Sequence, residues 1–276
     1  MTPRTSHLLS ILPLALGLGA CVDGNADSGL TVLQVIAPEL GCTFPTGSTG
    51  TLQASGLIES DAGGGYLLAP EVRNDLTLVE GEAKSPKTIF ITGARVEIEF
   101  YDTTLFSADE QATLAANGLT RFLVPFAGSV EPNGGTAVLP FETVPPALLR
   151  MIGEKLPPPS DTNPAPRAVL DVRFREVGTR GGGDVESNLF RFPVQVCNDC
   201  LTNDLGHCAF LAPTTPVRTG GLCQVSQDAV LDCCIDDRDD LEVPCMEGEQ
   251  PPAGKVCDNG MADPETVVCP ARPLKL

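Results

Sequence analysis

The residues of this chain that could do chemistry are mostly sulfurs and carboxylates. Cys197-Asn198-Asp199-Cys200 has the spacing of a redox dithiol or of half a zinc knuckle. A redox pair wants its first cysteine at a helix N-terminus after a strand, and no strand–helix–strand pattern follows here. Zinc would need reduced thiolates. The pair therefore reads as a structural disulfide, with thiol-redox or hydrolytic chemistry at Cys197 and Cys200 as the alternative. Beyond the first few residues the sole histidine is His207, in Leu205-Gly206-His207-Cys208. A nucleophilic triad needs a base beside the nucleophile and a hydrolytic zinc site needs two or three imidazoles, so one histidine furnishes neither. His207 is expected on the surface of a disulfide loop, and no catalytic residue and no cofactor are assigned. The acidic run Asp236, Asp237, Asp239 and Asp240, with Glu242 nearby, could gather oxygen ligands for calcium. It lacks the central glycine and final glutamate of a calcium loop, and a second candidate, Asp258-Asn259-Gly260 with Asp263 and Glu265, is equally incomplete. Both read first as solvated acidic surface and second as a calcium-stabilised adhesion module.

Composition narrows the choices further. The 276 residues are 42% hydrophobic and 5% aromatic, with 28 Gly, 25 Pro, 11 Cys, no Trp and a net charge of −18. Such a chain folds, is rich in turns and cross-links, and cannot neutralise phosphates, which excludes nucleic acid as a partner. The 36 acidic residues offer carboxylate pairs by chance, but only two tyrosines and no tryptophan are there to stack on a sugar, so carbohydrate chemistry is disfavoured.

One further cysteine belongs to a different pattern. Arg4 precedes the apolar run 8–18, which ends in Leu18-Gly19-Ala20-Cys21. As a helix that run would extend about 16 Å, half a hydrocarbon core, so it cannot span a bilayer. Small residues before a cysteine suit an extended passage through a peptidase groove. The segment resembles the signal and lipobox of bacterial lipoproteins. The resemblance implies cleavage after residue 20, lipidation of Cys21, a tether at 21–29 and anchorage in a lipid bilayer. Two or three acyl chains hold firmly where one is marginal. Position 22 is Val22, with Asp23 one place later, which under the sorting rule of enteric bacteria favours the outer membrane over the inner.

Setting Cys21 aside leaves Cys42 and a run of Cys197, Cys200, Cys208, Cys223, Cys233, Cys234, Cys245, Cys257 and Cys269. Export makes disulfides the expected state. The run is odd in number, so if every thiol pairs, Cys42 must bridge into it. Cys233 and Cys234 are expected to pair elsewhere, because a bridge between neighbours distorts the peptide between them. The region 197–276 has few large apolar residues and is expected to be an acidic, irregular, disulfide-held unit.

Residues 30–196 read as a mainly β domain, a sandwich of immunoglobulin-like or related topology with two short helices. Alternation over 94–100 sets Val96, Ile98 and Phe100 against Arg95, Glu97 and Glu99, with a phase change at Gly93 that marks a bulge. Residues 168–175 alternate likewise, Gly178 to Gly183 turn the chain, and Phe190, Phe192, Val194 and Val196 line a return strand. A second hairpin is expected where 122–126 and 137–141 flank Pro132-Asn133-Gly134-Gly135. Ser107 with Glu110 forms a capping box and Asn117-Gly118 a stop, predicting a helix over 108–116. Pro145-Pro146 opens another through Ile152.

The stretch from Glu71-Val72-Arg73-Asn74 to the strand at 94–100 resembles the water-stress and late-embryogenesis sandwich, without its fuller asparagine–proline motif. The passage from Phe192-Pro193-Val194 through Cys197 and Cys200 into an acidic cysteine-rich tail resembles uncharacterised lipoproteins of deltaproteobacteria, a likeness that implies no activity. The expectation is a non-enzymatic lipoprotein of the cell envelope with a binding or envelope-organising role and an envelope or surface protein as partner.

Overall fold

Strand-forming and helix-forming signals alternate along the chain, and the folded elements follow them closely. In a computed structural model the chain is described over residues 28–46, 50–157, 163, 166–207 and 218–235, and over the short pairs 242–243, 256–257 and 267–268. The elements in order are β1 (Leu30–Val35), β2 (Gly56–Glu59), β3 (Tyr66–Leu68), β4 (Pro70–Asn74), β5 (Ile89–Phe100), α1 (Ala108–Ala116), β6 (Arg121–Val130), β7 (Gly135–Val138) and β8 (Phe141–Val144). They continue with α2 (Pro146–Lys155), β9 (Arg167–Arg180), β10 (Gly183–Glu186), β11 (Phe190–Cys197), β12 (Thr202–His207) and β13 (Leu231–Ile235).

The protein is mainly β, with a sandwich-like arrangement. One sheet runs β1-β4-β7; the larger runs β2-β11-β9-β5-β6, with β10 hydrogen-bonded to β9; β3 and β8 form a separate pair. Pairing is antiparallel throughout these sheets except between β2 and β11. One hydrophobic core takes side chains from all three sheets, including Val32, Val72, Phe141, Val172 and Val194. Period-two burial drives this: Ala94, Val96 and Ile98 of β5 are buried while Arg95 and Phe90 are exposed. Burying a valine or isoleucine side chain in this way contributes roughly 1.5–3 kcal/mol. Aromatic rings knit the layers together, with Phe126 stacked on Phe141 at 5.1 Å and Phe141 edge-on to Phe174 at 5.6 Å.

Local signals are reproduced residue by residue. The Ser107 hydroxyl accepts from the Glu110 N–H, and the Glu110 carboxylate accepts from the Ser107 N–H at 2.8 Å, closing the capping box of α1. Glu110 also meets Lys155 of α2 at 2.7 Å, and with those donors its carboxyl is held down to about 2. The register of β5 shifts between Ile91 and Gly93, where a Cβ would sit 2.3 Å from the Val124 carbonyl oxygen. The turn after β9 falls on Gly181 and Gly182, both with positive φ.

The expected hairpin around residues 132–135 is a correction. β7 pairs with β4, not with β6. Asn133 and Gly134 donate their N–H groups to the carbonyls of Leu76 and Asn74, and the Asn133 side chain accepts from the Leu78 N–H. The turn is therefore bonded to the chain leaving β4, and it carries the backbone from one sheet across to the other.

β9 holds an anomaly. Its inward positions, Ala168, Leu170, Val172 and Phe174, are followed in phase by Glu176, which is fully buried. Neither carboxylate oxygen has a hydrogen-bond partner among the described residues. Burial alone pushes its carboxyl up to about 8.

Candidate functional site

The C-terminal region meets the sandwich along the free edge of β2, and the chemically distinctive side chains lie on this seam. An open strand edge presents unpaired backbone groups. Here the segment 226–228 covers it: the Glu59 N–H donates to the Ser226 carbonyl at 3.1 Å, and the Asp228 N–H donates to the Leu57 carbonyl at 2.8 Å. Gln227 supplements the pairing with its side chain, whose amide donates to the Leu67 carbonyl at 2.8 Å and accepts from the Leu67 N–H at 2.9 Å.

Asp228 is the hub of this contact. One carboxylate oxygen accepts from the Leu57 N–H at 2.7 Å; the other accepts from Gln53 at 2.7 Å and from the Tyr66 hydroxyl and Gln227 at 2.9 Å each. Burial, then the neighbouring Asp228 charge, pushes the Tyr66 hydroxyl far above its ordinary range, so it serves as a donor. Gly56 makes room for it, since a Cβ there would lie 2.2 Å from the Tyr66 oxygen. Asp228 has φ of +59°, a left-handed turn that aspartate tolerates better than most residues.

A covalent tie completes the seam. Cys42 is disulfide-bonded to Cys223 across 181 residues, with the Cα atoms 4.7 Å apart. The parity expectation that Cys42 joins the C-terminal cysteines is met. Beside this bridge an open cleft of about 190 Å³ is lined by Ala37, Pro38, Gln53, Leu222, Gln224 and Asp228. The Gln224 side-chain nitrogen is buried there with no hydrogen-bond partner among the described residues.

Around Cys197 the geometry is tighter. Cys197 and Cys200 are disulfide-bonded to each other, a state common to the structural and the thiol-redox readings of their spacing. Cys197 closes β11 in parallel register with Glu59 of β2, so the two side chains leave the sheet together. A Glu59 oxygen and the two sulfurs lie within 4.8 Å of one another. Cys197 is fully buried, Glu59 is 2% exposed and Cys200 is partly exposed. One Glu59 oxygen accepts from the N–H groups of Leu201 and, at 2.9 Å, Thr202. Desolvation nevertheless raises the Glu59 carboxyl, outweighing those donors, with Asp61 and Asp199 pushing the same way. Asn198 fixes the loop by accepting from the Ser60 hydroxyl and donating to the Gly153 carbonyl at 3.2 Å.

Glu59 was not among the residues singled out from sequence. A lone glutamate 138 positions from Cys197 carries no local signal; only the β2–β11 register joins them. Of the other expected site residues, Cys233 is buried and disulfide-bonded. His207, Cys234 and Cys257 lie on described backbone, but their side chains fall outside the described residues, as do Cys21, Cys208, Cys245, Cys269 and the acidic Asp236, Asp237, Asp239 and Asp240.

No protein-family model and no curated protein matches this chain. Among solved structures, a protein from Archaeoglobus fulgidus is similar at 12% identity and a TM-score of 0.27, over 53% of this chain and 88% of that one. A likeness of that size carries neither fold nor activity to the present protein.

Proposed function

We propose that this protein is a lipid-anchored binding protein of the bacterial cell envelope, with the outer membrane as its favoured site. The observation that carries the reading is the Cys42–Cys223 bridge, which ties the start of the sandwich to the C-terminal region. Long-range disulfides form and persist in oxidising compartments, where the lipobox ending at Cys21 would deliver the chain. Acyl chains on Cys21 hold the body to the bilayer, and residues 21–29 tether it. The strong negative charge keeps that body off anionic surfaces.

The role is binding or envelope organisation rather than catalysis. A rigid scaffold presents recognition surface in its loops and clefts, and the cleft beside Cys223 is such a recess on the seam, with Leu222 exposed at its edge and the Gln224 side-chain nitrogen, unpartnered among the described residues, inside. Its partner is an envelope or surface protein.

The test is peptide mass spectrometry, without reduction, on protein purified from membranes, paired with fractionation of Cys21→Ser. The expected result is a mature chain starting at acylated Cys21, lost from the membrane fraction in the variant. A chain cleaved elsewhere, with Cys21 unmodified or in a disulfide, overturns the reading.

A further inference from the structure

The binding role needs no reactive sulfur, yet one disulfide on the seam has a carboxyl built against it. We propose that Cys197–Cys200 is a reversible disulfide that takes two electrons from a dithiol-bearing protein, with Glu59 supplying the proton to the buried sulfur that leaves.

Exchange at a disulfide requires an accessible sulfur to attack and a tolerable leaving group. Of the two residues Cys200 is partly exposed and Cys197 fully buried, so Cys200 is the one open to attack. Attack on Cys200 therefore expels Cys197 as a thiolate into a site with little water, where the charged form is strongly disfavoured. Glu59 removes that obstacle. Its carboxyl lies within 4.8 Å of both sulfurs, and the parallel β2–β11 register fixes it on the same side as Cys197. The described donors reach only one of its oxygens, which leaves the other free to carry the proton. The Ile58 carbonyl oxygen lies 3.6 Å from the Cys197 sulfur, placed to accept from the thiol once it is formed. The charged groups around this acid are Asp61 after β2 and Asp199 in the loop, both of which favour its protonated form, with Arg167 of β9 in register with Cys197 on the opposite strand.

The step balances. A partner thiolate forms a bond to the Cys200 sulfur, the Cys197–Cys200 bond breaks, and its electron pair goes to Cys197, which takes the Glu59 proton. The partner's second thiolate then attacks its own sulfur in the mixed disulfide and releases Cys200, which is protonated from water, as is Glu59. The partner dithiol ends as a disulfide and Cys197 and Cys200 end as thiols, one exchange per molecule.

The experiment uses the membrane-extracted full protein with dithiothreitol as the dithiol probe, quenched by alkylation at timed intervals and mapped by mass spectrometry. Cys42–Cys223 serves as the internal control, since Glu59 is not beside it. Glu59→Gln keeps an oxygen for the Leu201 and Thr202 donors but has no acid proton. It is expected to slow reduction of Cys197–Cys200 by about tenfold or more, a modest share of what general acids contribute, and to leave Cys42–Cys223 unchanged. In the wild type, the rate per dithiol thiolate should fall as pH rises through the Glu59 titration, and this fall should vanish in the variant. If Glu59→Gln does not fold, the wild-type profile decides alone: a rate that simply tracks thiolate at every pH overturns the proposal. So does equal slowing at both disulfides, or purification of Cys197 and Cys200 as a reduced pair holding stoichiometric zinc. The fate of Cys21 is read separately, so failure here leaves the anchoring proposal standing.

Discussion

Replacing Glu176 by methionine should stabilise the protein, and by an amount that depends on pH in a defined way. The Glu176 carboxyl titrates near its ordinary 4.5 in the unfolded chain and at about 8 in the core. Below the first value both states hold the proton and it contributes no pH dependence. Between the two, the unfolded chain has released its proton while the folded one retains it, so stability falls as pH rises, by about 1.4 kcal/mol per unit. The accumulated loss is about 3 kcal/mol at pH 7 and at most about 5 kcal/mol near pH 8, where it levels off. Methionine has similar length and no ionisable or unpartnered polar atom, so the variant lacks this slope. The assay is urea unfolding with disulfides intact at pH 5, 6, 7 and 8, comparing the two proteins at each pH so that other titrations cancel. The free-energy gap should widen in favour of Glu176→Met from pH 5 to pH 8. Parallel curves, or a variant less stable at pH 8, would refute the view that Glu176 is buried without a partner.

Two further outcomes test the seam. Removing the long bridge with the paired substitutions Cys42→Ser and Cys223→Ser should lower stability by about 2–5 kcal/mol, since a closure across 181 residues restricts the unfolded chain strongly; a midpoint unchanged in denaturant would sink this. Gly56→Ala drives a methyl to 2.2 Å from the Tyr66 oxygen and should cost about 1–3 kcal/mol, whereas Gly63→Ala, with nothing within 4 Å, should be neutral in the same urea unfolding.

Much of the scaffold was legible because the signals were local. The capping box at Ser107 and Glu110 satisfies backbone donors within one turn, so it reads the same in sequence and in structure. Alternation over 94–100 names the buried face of β5 without knowing its neighbours. Extended by one step, the same logic at 168–174 would have placed Glu176 inside, where none of the described residues offers a polar partner. The hairpin at 132–135 shows the opposite case. Asn-Gly dictates a turn, but the hydrogen bonds of Asn133 and Gly134 go to Leu76 and Asn74, far away in the chain. A turn fixes the direction of the backbone and leaves open which strand receives it.

By itself, the sequence determined the class of the fold, the two helices, and the parity that sends Cys42 to the C-terminal cysteines. It determined these because each rests on periodicity, local capping or counting, none of which requires a partner to be known. Tertiary structure alone decided that the partner of Cys42 is Cys223, that Asp228 gathers four donors from three separate segments, and that Glu59 stands beside Cys197. Those contacts are set by strand register and by burial, and a side chain's charge state follows from what surrounds it rather than from what precedes it in the chain.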